Sequence, residues 1–339
     1  MTIEDLAKKI GVSRSLVSMA FTGNGRISPQ TRERILQSAR ELGYSPNPHA
    51  QNLARGHSKN TIGLFSLGLD FGIITQKIKI IQGLLAGKGF DVPLYAYGSF
   101  KDDEIIHQAS LIGTLCRQQP RAIVCSTRAL EPAALSELEQ YQQAGGIVVG
   151  YDYHIDLKCD QILLDREDNT YQTAKYLLEL GHRKLGLFMA GARKPCGERH
   201  NGFERALREY QIQSNIDWMC NGPTDEAGGV ALAEQFLNLK QRPTGICIVN
   251  DRVASAFVNE VQRAGLRIPT DLSVICHDNH PVAGCCIVPL TTNTHPAQEI
   301  AESVVEMLCS RLDGVYTGEA RQKTLRGSLI VRQSTNVPS

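Results

Sequence analysis

Residues 3–21, IEDLAKKIGVSRSLVSMAF, decide how the rest of the chain is read. Ile3, Leu6, Ala7 and Ile10 recur at helical spacing and give one apolar face. Thr2 can cap that helix, and Asp5 stands three positions later, near the capping-box place. Gly11 ends it, Val12 packs back, and Ser13 caps a second helix that starts at Arg14. A short helix, a glycine-containing turn and a capped second helix make a helix-turn-helix. On the second helix Val17 and Ala20 face inward, while Arg14, Ser15, Ser18 and Met19 share the outward side. In such a motif the second helix enters the major groove with its N-terminal residues on base edges. Read alone, the stretch could equally be an ordinary helical hairpin.

The next residues favour DNA. After the turn TGNGRIS, Ser28 caps a third helix with Pro29 at its first position, where a missing N–H costs nothing. Ile35, Ala39 and Leu42 form its buried face. Arg26, Arg32 and Arg34 are placed to meet phosphates, which fix register without reading sequence. Residues 1–60 hold nine Lys and Arg against four acids, and the rest of the chain holds 27 against 31. A basic head on a mildly acidic body is the electrostatic pattern of a DNA-binding module attached to a sensor.

The N-terminus, TIEDLAKKIGVSRSLVSMAF through RISPQTRERILQSARELGYSPN, resembles the DNA-binding headpiece of the LacI/GalR family of repressors, and the resemblance continues to RGSLIVRQST. It implies an all-α helix-turn-helix headpiece over residues 1–46 and a hinge helix and linker over 47–60. The hinge helix, His49–Arg55, would fold only when two subunits pair on an operator, wedging Leu53 into the minor groove. Gln51 and Ala54 stand where the family often has basic residues, and Arg55 could compensate.

From Thr61 short β-rich runs (TIGLFSLG, AIVCS, GIVVG, KLGLFMA, GICIV, LSVICH) alternate with helical stretches, which argues for a parallel sheet covered on both faces. Two such series make two lobes. The resemblance implies an α/β, two-lobed, periplasmic-binding-protein-like (type I) effector domain. Its lobes would span residues 61–160 with 292–320 and 161–290 with 321–335. The chain would cross between them near Cys159–Gln161, Pro289–Thr292 and Gly318–Thr324.

Ligands of such sheets bind at the carboxyl ends of strands. Asp152, Asn250 and Asp278 follow strands there, and Arg199 precedes a Gly-Phe pair as the family's arginine does. Together they could grip hydroxyls, and Arg199 could grip a carboxylate or phosphate through two donors. Asp251 is read as the cap of the following helix. Relatives often carry an aromatic pair after the first strand, where Ile73 and Ile74 stand here, and another where Pro223 sits. Phe71 and Tyr151 are the rings left, so a smaller or more polar effector than a hexose is expected.

The 339 residues are 42% hydrophobic, as expected for globular domains, and no apolar run is long enough to span a bilayer. The start lacks a signal-peptide core, so a cytoplasmic protein is expected. Ten cysteines are scattered, most in apolar runs, and read as buried thiols. Cys285 and Cys286 could form a thiol sensor. HDNH at His277–His280 could be drawn as a metal site but reads better as polar caps. No P-loop or nucleophile-elbow pattern occurs, so no enzyme, cofactor or metal is expected. The expectation is a dimeric, effector-controlled repressor on a pseudo-palindromic operator. Dimerisation would run through the helices near Ile74–Lys88 and Gln298–Leu312. After VRQST no apolar heptads follow, so a tetramer is not expected. Two other readings remain: a regulator without effector response, and a soluble binding protein that transports or scavenges a small molecule.

Overall fold

The computed structural model describes residues 3–22, 27–42, 60–69, 72–97, 108–190 and 197–338. Thr2 and the expected hinge helix lie outside them. The head holds α1 (Ile3–Ile10), α2 (Arg14–Thr22) and α3 (Pro29–Glu41). Leu6, Ala7, Val17, Ala20, Ile35 and Ala39 close a small core of their own. The caps act as the sequence implies. Ser13 Oγ accepts the Leu16 amide and Ser28 Oγ accepts the Thr31 amide, each at 3.2 Å. The Thr31 amide is one that the first helical turn leaves without a backbone partner, while the Leu16 amide also bonds the Ser13 carbonyl at 3.0 Å. Leu42 departs from expectation. It lies one residue past the end of α3 and is 41% exposed, because the buried stripe ends at Ala39, two residues before the helix does.

The body holds two six-stranded sheets. The first joins β1 (Ile62–Leu67), β2 (Leu94–Tyr97), β3 (Ala122–Ser126), β4 (Ile147–Asp152), β5 (Asp160–Leu164) and β11 (Gln322–Leu325) in the order β11-β5-β4-β3-β1-β2. The second joins β6 (Leu185–Ala190), β7 (Met219–Gly222), β8 (Gly245–Ile248), β9 (Ser273–Asp278), β10 (Thr291–Thr294) and β12 (Leu329–Ile330) in the order β12-β10-β9-β8-β6-β7. All pairings are parallel except β12 on β10. The two orders are equivalent, so β4 of one lobe corresponds to β9 of the other. Every residue of AIVCS in β3 and of GICI in β8 is buried, as expected for strands covered on both faces.

The helices are α4 (Gly72–Gly87), α5 (Gln108–Arg117), α6 (Pro132–Gln143), α7 (Arg166–Glu179), α8 (Glu198–Glu209), α9 (Glu226–Leu237), α10 (Asp251–Arg263), α11 (Pro281–Cys285) and α12 (Ala297–Leu312). α12 packs on α4 in the first lobe, and α7 packs on α8 in the second. Each lobe therefore receives a helix that follows a strand of the other. Among the described residues, no helix is long and apolar enough to cross a membrane.

The crossings fall later than the resemblance implied. QILL lies in β5 and pairs with β4, so the first crossing follows Leu164. β10 pairs with β9, so the second follows Thr294. β11 pairs with β5, so the third follows Leu325. Strand pairing, which runs the lobes' last strands to the cleft, sets these points. Asp160 secures the root of β5: Arg311 and Arg321 both bond its carboxylate, and their guanidiniums lie 4.6 and 4.0 Å from the Tyr316 ring.

Gly202 explains its place in the RHNGF stretch. A Cβ there would lie 2.0 Å from the Glu167 carbonyl oxygen and 3.0 Å from the Tyr171 amide nitrogen, both backbone atoms of α7. Gly202→Ala should therefore force α7 and α8 apart and destabilise the second lobe by about 1–3 kcal/mol, read as a lower Tm of the full chain. An unchanged Tm would mean that the helices separate without cost.

Candidate functional site

The outer face of α2 is the first candidate. Arg14 and Ser15 are exposed and Ser18 and Met19 are half-buried on it, while Val17 and Ala20 are buried. Arg14 Nη1 pairs with Glu4 Oε1 at 3.1 Å, with both side chains more than 60% exposed. So exposed a pair is worth little and releases the guanidinium to another partner at small cost. Arg32, expected on a phosphate, donates through Nε to the Ala20 carbonyl at 3.0 Å. It thereby braces α3 against the end of α2. Arg26, Leu53 and Arg55 lie outside the described residues.

The second candidate lies where the strand ends of the lobes meet. Asp152 closes β4 and Asp278 closes β9, at equivalent places in the two sheets. Both take left-handed backbone, with φ of +74° and +102°. Such conformations are costly for non-glycine residues and cluster at functional sites. Asp152 is buried. Lys77 Nζ bonds its Oδ2, Arg166 Nη2 bonds its Oδ1 at 2.5 Å, and Arg166 Nη1 bonds its carbonyl at 2.6 Å. Burial opposes ionisation of Asp152, but Lys77 and Arg166 overcome it and hold the carboxyl well below its usual range. Burial lowers the Lys77 pKa, and Asp152 opposes that shift.

His295 lies between the two aspartates. Its Nε2 is 3.7 Å from Asp152 Oδ1 and 3.1 Å from Lys77 Nζ, and its Nδ1 is 3.8 Å from Asp278 Oδ1. Burial, aided by Lys77, drives its pKa well below the ordinary value, so the imidazole is neutral near pH 7. Arg199, in the first turn of α8, faces this group from the second lobe. Its Nη1 is buried and makes no hydrogen bond among the described residues. Burial raises the Asp278 pKa, and Arg199 is the strongest opposing influence.

Residues 2–47 match the family described as bacterial regulatory proteins, lacI family, and residues 174–335 match the periplasmic binding protein-like domain. The chain belongs to the LacI/GalR family of transcriptional regulators. That family consists of DNA-binding regulators, not enzymes. The chain is 26% identical over 337 residues to the transcriptional repressor PurR of Aliivibrio salmonicida, covering 99% of both chains. It is 27% identical over 336 residues to the repressor CytR of Escherichia coli, covering 98% of this chain and 96% of CytR. A solved lac repressor dimer, bound to operator and the anti-inducer ONPF, aligns over 99% of both chains with a TM-score of 0.82 at 23% identity, a likeness of fold.

Within this LacI/GalR regulator, three of the five residues expected to bind effector come together: Asp152, Arg199 and Asp278. Phe71 lies outside the described residues. Asn250 is engaged elsewhere. Its Oδ1 accepts the Val253 amide at 2.9 Å and its Nδ2 donates to the Thr224 carbonyl at 3.0 Å, which makes it the cap of α10. The cap role expected of Asp251 thus belongs to Asn250, whose extended backbone suits it. Tyr151 is fully buried beneath Lys77, 5.9 Å from Nζ to the ring centroid, and offers no face to a ligand. Ile74 is likewise buried in the first core. His280 Nδ1 accepts the Val282 amide at 3.2 Å, as the cap reading of HDNH implies.

Sequence reasoning missed Lys77, Arg166, His295 and Tyr153, whose ring lies 3.9 Å from the Arg166 guanidinium carbon. Lys77 leaves a signal: it is a charge on the stripe Ile74, Ile78, Ile81 and Leu85. A groove of about 800 Å³ also opens between α4 and α10, lined by Gln76, Lys79, Arg252 and Asn259 among others, but none of the clustered charges forms its wall.

Asp251 supplies a pH test. Its carboxylate accepts the His280 amide at 2.5 Å and the Thr292 hydroxyl at 2.7 Å. Burial, aided by the Asp278 charge, pushes its pKa up to about 7. A pKa higher in the folded than in the unfolded state means that stability is lost as pH rises between the two values. Asp251→Asn keeps both bonds with its amide suitably turned. The Tm of Asp251→Asn relative to wild type should therefore increase steadily from about pH 5 to about pH 7.5. A difference that does not vary with pH would contradict this.

Proposed function

We propose that this regulator acts as a homodimeric repressor of the cytoplasm, controlled by a small polar effector held between the lobes. Two headpieces, residues 1–46, would read a pseudo-palindromic operator, because operator symmetry follows protein symmetry. Two hinge segments, residues 47–60, would insert Leu53 at its centre. The observation that carries this reading is the pairing of an exposed α2 face with an interlobe cluster of opposed charges on one chain. α4 and α12 lie side by side on the first lobe, and Gln76, Lys79, Gln298 and Glu302 are exposed on them. That face suits the dimer contact.

Effector control follows from the lobes' geometry. Arg166 opens α7 of the second lobe and grips Asp152 of the first. A ligand that enters among these groups changes the angle between the lobes, and with it the distance between hinge segments. It shifts the DNA equilibrium only by its differential affinity for the two lobe arrangements.

One observation favours a second reading, a regulator without effector response. Lys77, Arg166 and Asp152 already satisfy one another and tie the lobes together. A screen of the full chain against neutral and charged metabolites separates the two readings, because a saturating effector adds roughly 2.7 kcal/mol at a hundredfold over its Kd.

Arg14 tests the DNA reading. Arg14→Ala should relax preference at one base pair per half-site by about 1–3 kcal/mol, measured by competition among operator variants. A uniform loss across all variants would place Arg14 on phosphate instead.

A further inference from the structure

One ion pair joins the beginnings of α1 and α2. Glu4, in the first turn of α1, places Oε1 3.1 Å from Nη1 of Arg14, the first residue of α2. Both side chains are exposed, and neither belongs to the small core that Leu6, Ala7, Val17, Ala20, Ile35 and Ala39 form. The pair therefore does not hold the head together. It lies on the surface that the helix-turn-helix turns toward a duplex.

The bond occupies one end of the guanidinium. Among the described residues Nε and Nη2 of Arg14 make no hydrogen bond, so the other edge keeps two parallel donors. Two parallel N–H bonds are what a guanine accepts through O6 and N7. A long cationic side chain beside a duplex can also reach phosphate, and a phosphate contact carries no sequence information. Glu4 opposes that alternative in two ways. It fixes the direction of the guanidinium, and it cancels the charge that would draw Arg14 to phosphate. In water so exposed a pair is weak. At the DNA surface water is displaced and the effective dielectric falls, so the same bond strengthens where it is needed.

From this geometry we infer that Glu4 is a positioning residue for operator recognition: it steers Arg14 onto a base edge and lowers its attraction for DNA of any sequence. The inference rests on the reading of Arg14 as a base contact and adds the residue that makes the contact selective. Glu4 itself touches no base. Its carboxylate trades some total affinity for discrimination, because it faces a polyanion and repels it.

The test uses the full chain and four proteins: wild type, Glu4→Ala, Arg14→Ala and the double variant, with Glu4→Gln as a fifth that keeps an acceptor oxygen without the charge. The probes are a duplex selected by wild type from a random pool, its single-base variants in each half-site, and an unrelated duplex of equal length, each at several salt concentrations. Glu4→Ala should lower discrimination at the base pair read by Arg14 by roughly threefold or more. It should also bind the unrelated duplex more tightly, with a salt dependence steeper by about one phosphate contact. Glu4→Gln should show the same steeper salt dependence and an intermediate loss of discrimination. With Arg14→Ala already present, Glu4→Ala should change discrimination no further. The Tm should be the same in all five, since the pair is exposed. Loss of discrimination in Arg14→Ala but not in Glu4→Ala would overturn the inference and leave Arg14 as a base contact. An equal effect of Glu4→Ala with and without Arg14 would overturn it too, as would an unchanged salt dependence on the unrelated duplex. A uniform loss in Arg14→Ala across all variants would overturn both the inference and the reading it rests on.

Discussion

Asp152 is a carboxylate taken out of water at the point where the lobes meet, and much of the body is arranged to make that tolerable. A buried ion is stable only when its partners replace the lost hydration. Lys77 comes from a helix of the first lobe and Arg166 from the first turn after the first crossing. His295 comes from the second crossing. The carboxylate thus gathers three segments far apart in sequence, and two of them are the strands of chain that join the lobes. Any change in lobe angle must rearrange these bonds. The cluster therefore ties lobe angle to its own bonding, as a switch between two arrangements requires.

The equivalence of the lobes gives this arrangement its meaning. Each doubly wound sheet delivers an aspartate at the end of its fourth strand, in left-handed backbone, and a cation on the helix after its first strand. Backbone strain of this kind persists only where surrounding structure enforces it. In the first lobe that structure is the closed ion pair. In the second, Arg199 and Asp278 remain apart and unequal, with burial raising the Asp278 pKa. One half of the cleft is thus closed by its own ion pair, and the other, among the described residues, is not.

Much of this was legible in the sequence, for identifiable reasons. The head helices declare themselves through capping serines and apolar stripes. The central strands AIVCS and GICI are continuous apolar runs bounded by helices. The short strands Met219–Gly222 and Thr291–Thr294 are not legible, because MCNG and TTNT become strands only through registry with β6 and β9. The roles of Asn250 and Asp251 could not be separated either. They are adjacent polar residues, and only the extended backbone at Asn250 makes it the cap. Lys77 escaped because a lysine on a helix usually reaches water. Arg166 and His295 escaped because their meeting depends on where the chain crosses, and pairing of β5 and β10 moved those crossings by several residues.

The account stands or falls on the coupling between this buried cluster and the head. The direct measurement is the operator affinity of full-length Asp152→Asn beside wild type, with cooperative unfolding checked for both. Asn keeps the shape and removes the charge that Lys77 and Arg166 share, so the account predicts an operator affinity changed by roughly tenfold or more, although no cluster residue lies in the head. Equal affinities in two folded proteins would show that the cleft and the DNA-binding face are independent, and would contradict it.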